Sequence, residues 1–322
     1  EPAAGPASRF EGETALASLF LQDAWRFAPN WVAVLGLRVE QWRARRGLSS
    51  SGSNLLQHPA RRESDLSPKA ALSWSLGDAW VLKASTGRAV RYPTVSELFQ
   101  GGFNSQGQAI NNDPNLKPER SWTSELSAEW LGVAPEQRLR LTYFQEDSRD
   151  ALYAQLNPAT NANTVQNVER IRTRGLELAG STPLAAALRQ VSLQGSLTYA
   201  DSRILANSGY VLVPGDTLGK QQPRVPRWRA TLVASWQALE SLSLSWAARY
   251  SGRQYSSLDN SDPNGFAYQG ASRYFSTDLR AQWRIDRRWT LAGGIDNLNN
   301  YQYWNFHPYP QRTFHAELRL DL

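Results

Sequence analysis

Thr313-Phe314-His315-Ala316-Glu317-Leu318-Arg319-Leu320-Asp321-Leu322 closes the chain with an unbroken alternation. Phe314, Ala316, Leu318, Leu320 and Leu322 fall on one face, and Thr313, His315, Glu317, Arg319 and Asp321 on the other. A period of two is the signature of a strand, and an apolar row without charge needs a core or a lipid to lie against. The pattern recurs upstream. Trp228, Ala230, Leu232, Ala234 and Trp236 form one such row, Leu242, Leu244, Trp246, Ala248 and Tyr250 a second, and Leu66, Ala70, Leu72, Trp74 and Leu76 a third. About thirteen strands are predicted in this way.

The connections alternate in length. Short turns fall near Ala28 to Asn30, Gly77 to Asp78, Gly132 to Pro135, Thr182 to Arg189, Ala238 to Ser241 and Asp286 to Arg288. Between them lie long polar stretches, predicted as loops, at 46–63, 91–120, 149–163, 204–225, 252–271 and 299–310. One end of the sheet is trimmed and the other elaborate, an asymmetry typical of outer-membrane barrels and without purpose in a soluble sandwich. Trp228 and Trp236 stand eight residues apart. At ~3.3 Å rise and ~40° tilt they span roughly 20 Å of membrane normal, the distance between two aromatic girdles.

Composition narrows the classes. The mean hydropathy is −0.51 and no long apolar run occurs, which excludes helical spans but not strand spans. The first ten residues lack the basic start and apolar core of a secretory signal, so a leader has been removed or the chain begins within a longer protein. Cysteine is absent, which rules out disulfides and thiolate metal sites. The net charge of +6 comes from 35 basic residues, nearly all Arg, scattered over loops and polar strand faces. No compact basic stripe suits nucleic acid; anionic lipid headgroups or an anionic ligand suit dispersed arginines better.

Three stretches then point to a family. Arg88-Ala89-Val90-Arg91-Tyr92-Pro93-Thr94-Val95-Ser96-Glu97-Leu98-Phe99 is followed by Asp113-Pro114-Asn115-Leu116-Lys117-Pro118-Glu119, further on by Thr173-Arg174-Gly175-Leu176-Glu177, and at the end by Asp296 to Tyr301 and Pro310 to Phe314. In order and spacing these resemble the barrel signatures of TonB-dependent outer-membrane receptors, from about Ala15 onward. Asp113 and Gln311 depart from the family's usual Asn and Gly, and Leu322 from its usual terminal aromatic residue. Pro93 ends a strand, Thr94 and Glu97 have capping-box spacing for a short helical turn, and Gly175 permits close backbone approach. The family's barrel has about 22 strands around an N-terminal plug. The resemblance therefore implies an all-β fold: an antiparallel transmembrane β-barrel that is partial, with residues 1–322 as its C-terminal portion and no plug domain.

The function this implies is energy-coupled uptake across the outer membrane of a chelated iron ligand, by default a ferric siderophore. The partners would be a TonB energy-coupling complex acting through the plug, the ferric siderophore, and outer-membrane lipid and lipopolysaccharide. No cofactor, metal or nucleic acid is expected. A passive porin-like channel is the alternative; a barrel enzyme is remote, because His58, His307 and His315 are too few and too dispersed to build a catalytic or metal site. Haem receptors of the family carry a histidine between the first two motifs, and Phe99 to Asp113 holds none. Ligand contacts are expected where loops converge, from aromatic faces and arginines: Arg88, Arg91, Tyr92, Phe103, Tyr210, Tyr255, Tyr268, Trp304, His307 and Tyr309.

Overall fold

Strict alternation becomes sheet along most of the chain. The computed structural model describes residues 8–51, 54–103, 109–110, 113–157, 162–184, 190–209, 215–262 and 264–321. Strands β1 (Ser8–Ala28), β2 (Trp31–Ser51), β3 (Asn54–His58), β4 (Arg61–Leu76) and β5 (Trp80–Arg91) come first. One helical turn, α1 (Val95–Phe99), and the small pair β6 (Gly102–Phe103) and β7 (Ala109–Ile110) follow. Then come β8 (Glu119–Leu131), β9 (Arg138–Asn157), β10 (Ala162–Pro183), β11 (Val191–Ala206), β12 (Trp228–Leu239), β13 (Leu242–Ser251), β14 (Tyr274–Arg284) and β15 (Trp289–Asp296). The hairpin β16 (Trp304–Asn305) and β17 (His307–Pro308) precedes β18 (Thr313–Leu320).

The described strands form a 14-stranded antiparallel sheet, a wall running β1-β2-β4-β5-β8-β9-β10-β11-β12-β13-β14-β15-β18 with β3 added to β2. Consecutive wall strands are neighbours throughout, an up-and-down meander. The wall is open, since β1 and β18 each pair on one side only among the described residues.

Register lines up the alternation from strand to strand. Leu126, Tyr143, Leu176, Tyr199 and Trp228 lie side by side from β8 to β12. Trp246, Leu279, Ile295 and Phe314 do so from β13 to β18. This face is exposed: Leu126 is 60% and Phe314 69% accessible. It is bordered at the trimmed end by Trp31 stacked on Trp74 at 5.2 Å, and further along by Trp80, Trp130, Trp236 and Trp283. At the elaborate end Tyr199 packs on Trp228 at 4.8 Å. A broad apolar band between two aromatic borders fits a bilayer and no aqueous interface. The opposite face is polar and laced by ion pairs, among them Lys83–Glu129 (3.4 Å), Arg249–Asp278 (2.9 Å) and Arg280–Asp296 (3.1 Å). His315 lies there too, 3.8 Å from Asp296.

The described part of the trimmed end is as predicted, with tight turns at 29–30, 77–79, 132–137, 240–241 and 286–288; of the predicted turn at 182–189, residues 182–183 still belong to β10 and 185–189 lie outside the described residues. Gly77 adopts φ +62°, where a side chain would be strained. The elaborate end differs from expectation at two stretches. Residues 46–63 and 149–163 are largely strand, because β2, β9 and β10 continue their hairpins well past the apolar band. Out there both faces meet water or other loops, so no apolar row announces the strand.

Candidate functional site

Two loop assemblies stand at the elaborate end. The first forms where the wall splits. The β4–β5 ladder ends at Lys69↔Gly87, next to Pro68, which has no N–H to offer. On either side pairing continues, to Ala44↔Arg61 between β2 and β4 and to Arg91↔Glu119 between β5 and β8. Asp65 fills the opening. Its carboxylate, 4% exposed, accepts hydrogen bonds from Arg88 Nη2 (2.7 Å), Arg120 Nε (2.9 Å) and Tyr92 Oη (3.2 Å), and Arg88 also reaches the Leu66 carbonyl. Tyr92 lies buried against Trp42, ring to ring at 5.7 Å.

Above this seam α1 is built by the capping box the sequence predicts. Glu97 N–H donates to Thr94 Oγ1 (3.3 Å), and Thr94 N–H donates to Glu97 Oε2 (2.8 Å). Arg91 pairs with the same carboxylate. Burial alone would raise the Glu97 pKa, but the Thr94 N–H and the Arg91 guanidinium outweigh it and hold the carboxyl below its ordinary range. Leu98 and Phe99 drop into a cluster with Trp42, Ala44, Tyr92 and Leu116. The second motif supplies Leu116: Asp113 Oδ1 caps Asn115 N–H (2.8 Å), and Arg61 Nη1 donates to the Pro114 and Leu116 carbonyls (2.6 and 2.9 Å). His58, in β3, touches Phe99 at 5.1 Å and Ser49 Oγ at 3.1 Å, and burial pushes its pKa down.

The second assembly joins the connections 252–273 and 297–312. Asn297 anchors it: its side chain donates to the Tyr301 carbonyl (2.9 Å) and accepts the Tyr301 N–H (2.8 Å), while Asn300 Oδ1 accepts the Arg312 N–H (3.0 Å). These bonds give the closing motif a structural task. The hairpin β16–β17 rises from that base with Phe306 at its tip in the left-handed region, φ +69°, a rare conformation for a bulky side chain. Two backbone bonds hold it, Gln269 N–H to the Phe306 carbonyl (2.8 Å) and Phe306 N–H to the Gly270 carbonyl (2.9 Å). Tyr268, Phe306 and His307 then meet ring to ring at 4.9–5.3 Å. Behind them Tyr274, Tyr303 and Tyr309 stack in a column at 4.6 and 4.7 Å. Burial raises the Tyr303 pKa, so its phenol stays protonated. Trp304 meets Phe266 edge-on at 6.3 Å, Arg253 lies over the Tyr255 ring at 4.8 Å, and Arg224 Nη1 donates to Asn305 Oδ1 (2.7 Å).

The sequence-derived candidates thus divide. Tyr255, Tyr268, Trp304, His307 and Tyr309 come together in the second assembly, where Tyr268 is 61% and Tyr309 45% accessible. Arg88 and Tyr92 are committed to Asp65 in the seam, and Arg91 to Glu97. Phe103 lies in β6, whose backbone pairs with β7, and Tyr210 lies outside the described residues. Sequence reasoning missed Phe306 and Phe266. The density of aromatic residues from Phe266 to Tyr309 is the signal that would have found them. Among the described residues no group of three or more His, Cys, Asp or Glu side chains is placed to hold a metal ion.

An open meander wall with a lipid-facing apolar band, a polar inner face and loops massed at one end is a section of an outer-membrane β-barrel. The family model for TonB dependent receptor-like β-barrels matches residues 2–298, and the chain belongs to that family. It is a component of the outer membrane. A probable TonB-dependent siderophore receptor of Acinetobacter baumannii is 22% identical over 303 residues, covering 92% of this chain and 38% of that protein. The ferrienterobactin receptor of Escherichia coli is 25% identical over 269 residues, covering 74% of this chain and 32% of its own. Among solved structures, the ferric citrate transporter in its unliganded form superposes with a TM-score of 0.75 at 17% identity, over 99% of this chain and 47% of that one. The chain thus spans about a third to a half of the lengths of these proteins.

Proposed function

We propose that residues 1–322 form the C-terminal part of the barrel of a receptor that takes up a chelated iron ligand, most simply a ferric siderophore, with a plug supplied by another segment of the protein and driven by a TonB energy-coupling complex. The observation that carries this reading is the exposed aromatic group Tyr268, Phe306, His307 and Tyr309, gathered from the two connections around a strained hairpin tip at Phe306. Aromatic faces suit the flat organic arms of an iron chelate, and the neighbouring Arg253 and Arg224 suit its anionic donor groups. Backbone strain kept at a bulky residue is a mark of functional rather than architectural placement. The likeness to proteins named as siderophore and ferric citrate receptors supports the same cargo class. Tyr255 and Trp304 complete the proposed contact surface; Arg88, Arg91 and Tyr92 brace the other loop assembly, around α1.

The test uses the full-length protein in an iron-starved host. Uptake of a radiolabelled ferric catecholate should be saturable, should stop when the proton gradient is collapsed, and should fall when Tyr268 and Phe306 are replaced by Ala. Uptake that survives collapse of the gradient would favour a passive channel and refute the coupled receptor.

A further inference from the structure

Asn264-Gly265 is the only Asn-Gly step in the chain, and it lies in the connection 252–273 of the second assembly. Glycine has no Cβ to shield its own amide nitrogen, so that nitrogen has open access to the side-chain carbonyl of the residue before it. The fold leaves this step poised. Asn264 is exposed, and its Oδ1 accepts the Phe266 N–H (2.9 Å), a contact that folds the side chain forward over the Asn264–Gly265 peptide bond and polarises the Cγ carbonyl. Among the described residues the Gly265 N–H meets no acceptor. Asn260, earlier in the same connection, is the opposite case: Oδ1 accepts the Gln221 N–H (2.7 Å), and Nδ2 donates to the Gln221 and Ser257 carbonyls (2.8 and 3.3 Å). Asn207 is buried, 2% exposed.

We propose that Asn264 is a site of spontaneous covalent modification, and that its conversion turns down the second assembly. The Gly265 nitrogen, once deprotonated by water or hydroxide, attacks Asn264 Cγ. The Cγ–Nδ2 bond breaks and ammonia leaves, carrying the proton that Gly265 gave up, and a succinimide ring remains. Water then opens the ring. Addition at Cγ breaks the new bond to nitrogen and leaves an ordinary backbone with an aspartate side chain; addition at the main-chain carbonyl breaks the original peptide bond and leaves an isoaspartate, with the chain running through Cγ. No oxidant or reductant enters either step.

Both products place a carboxylate on the connection that carries Arg253 and Tyr268. The isoaspartate also lengthens the backbone by one methylene and removes the Oδ1 contact with Phe266. That displacement has a route to the contact surface. The Gly265 carbonyl accepts Ser272 Oγ–H (2.7 Å), the same Oγ accepts the Trp304 N–H (2.9 Å), and the Ser272 N–H donates to the Trp304 carbonyl (2.9 Å), all around a side chain that is 1% exposed. Phe266 itself meets the Trp304 ring at 6.3 Å and the Tyr301 ring at 6.5 Å. The effect on affinity rests on the ligand reading above; the modification does not.

The test is a time course on the full-length receptor, held in mild detergent in warm, mildly alkaline buffer. Trypsin releases residues 254–273 as one peptide that contains both Asn260 and Asn264, and fragmentation mass spectrometry reads each position and separates aspartate from isoaspartate. Asn264 should convert to both products, faster in alkaline than in neutral buffer. Asn260 must break three hydrogen bonds before it reacts and should trail by about a hundredfold. Asn264→Gln, which would have to close a larger ring, should stop the conversion and keep the initial affinity. Aged wild type should exchange its Trp304 amide hydrogen faster than fresh protein does, and Asn264→Asp should bind ferric tris(catecholate) about twofold to fivefold more weakly in isothermal titration, the range of an exposed charge interaction. Conversion at Asn264 no faster than at Asn260 would overturn the site. Complete conversion with Trp304 exchange unchanged would overturn its effect on the assembly. Fresh wild type that binds no ferric catecholate would refute the ligand reading alone, and the mass and exchange readouts would still decide this proposal.

Discussion

The two loop assemblies use the same residue types to opposite ends. Around α1, arginines and aromatic rings turn inward: Tyr92 and Phe99 are buried, and Arg88 and Arg120 close on one carboxylate. In the 252–312 assembly the rings of Tyr268, Phe306 and Tyr309 stay open to solvent. The difference arises below the loops. Where the β4–β5 ladder fails, polar and aromatic side chains are consumed in sealing the wall; where β14, β15 and β18 pair without interruption, the connections are free to present theirs. An aromatic loop residue therefore speaks for ligand contact only when the wall beneath it is complete.

The largest effect that sharpens this contrast is expected at Asp65. Replacing it with Ala strands two guanidinium groups in the split and should cost about 3–5 kcal/mol, as for other buried ion pairs broken on one side. Denaturant unfolding of the full-length protein reads it, and ligand affinity at the second assembly should hold. A similar loss at Asp65 and at an exposed pair such as Arg319–Asp321 would mean that the split in the wall is not sealed by the Asp65 carboxylate. Phe99→Ala comes next, at about 3–4 kcal/mol from the emptied cluster beneath α1. Protease cleavage within 91–120 should rise with it.

The mirror-image outcome is expected in the second assembly. Phe306→Gly relieves the left-handed backbone at the hairpin tip, so thermal stability should hold or rise slightly, while affinity for a ferric catecholate should fall about fivefold or more through lost ring contact, worth about 1 kcal/mol. Isothermal titration beside a melting curve separates the two. A drop in stability with unchanged affinity would make Phe306 an architectural residue.

The smallest expected effect is acid loosening confined to the first assembly. His58 has its pKa depressed by burial from 6.5, so the packed state favours the neutral ring; its contribution is complete above about 6.5 and is lost as pH falls below. Glu97 is depressed below 4.5, so its contribution is present above that value and lost as pH falls through the folded pKa. Trp42 fluorescence in the full-length protein, isolated by difference from a Trp42→Phe variant, should shift in two stages between pH 7 and 3, and His58→Gln should remove the first.

Much of this could be read from residues in order. Phe314 to Leu320 alternates because one face meets lipid, and β8, β12, β13 and β14 announce themselves likewise, whereas β1 runs Leu19-Phe20-Leu21 without alternation. Thr94 and Glu97 betray α1 because a capping box is local in sequence. Gly175 marks a close approach: a Cβ there would collide with the Tyr199 carbonyl and the Phe144 ring. The partnership of Asp65 with Arg88 and Arg120 spans 23 and 55 residues and obeys no period, so nothing along the chain signals it. Without it, Arg88 and Tyr92 look like any basic and aromatic residues of a receptor loop. Phe306 could have been found from the density of aromatic residues around it, whereas its left-handed backbone angle is set by the hairpin and the 252–273 connection and leaves no mark on composition.

The split at Pro68 has a consequence for how such a receptor changes over generations. Below it, the strands must keep register with one another or the membrane face fails. Above it, β5 stays in ladder with β8, and β8 with β9, while β4 is joined to β5 by a carboxylate clamp rather than by a ladder. An insertion between Arg91 and Glu119 would load this joint before it reached the ladders of the membrane-crossing rows, so the mouth can be reshaped with the wall kept in register.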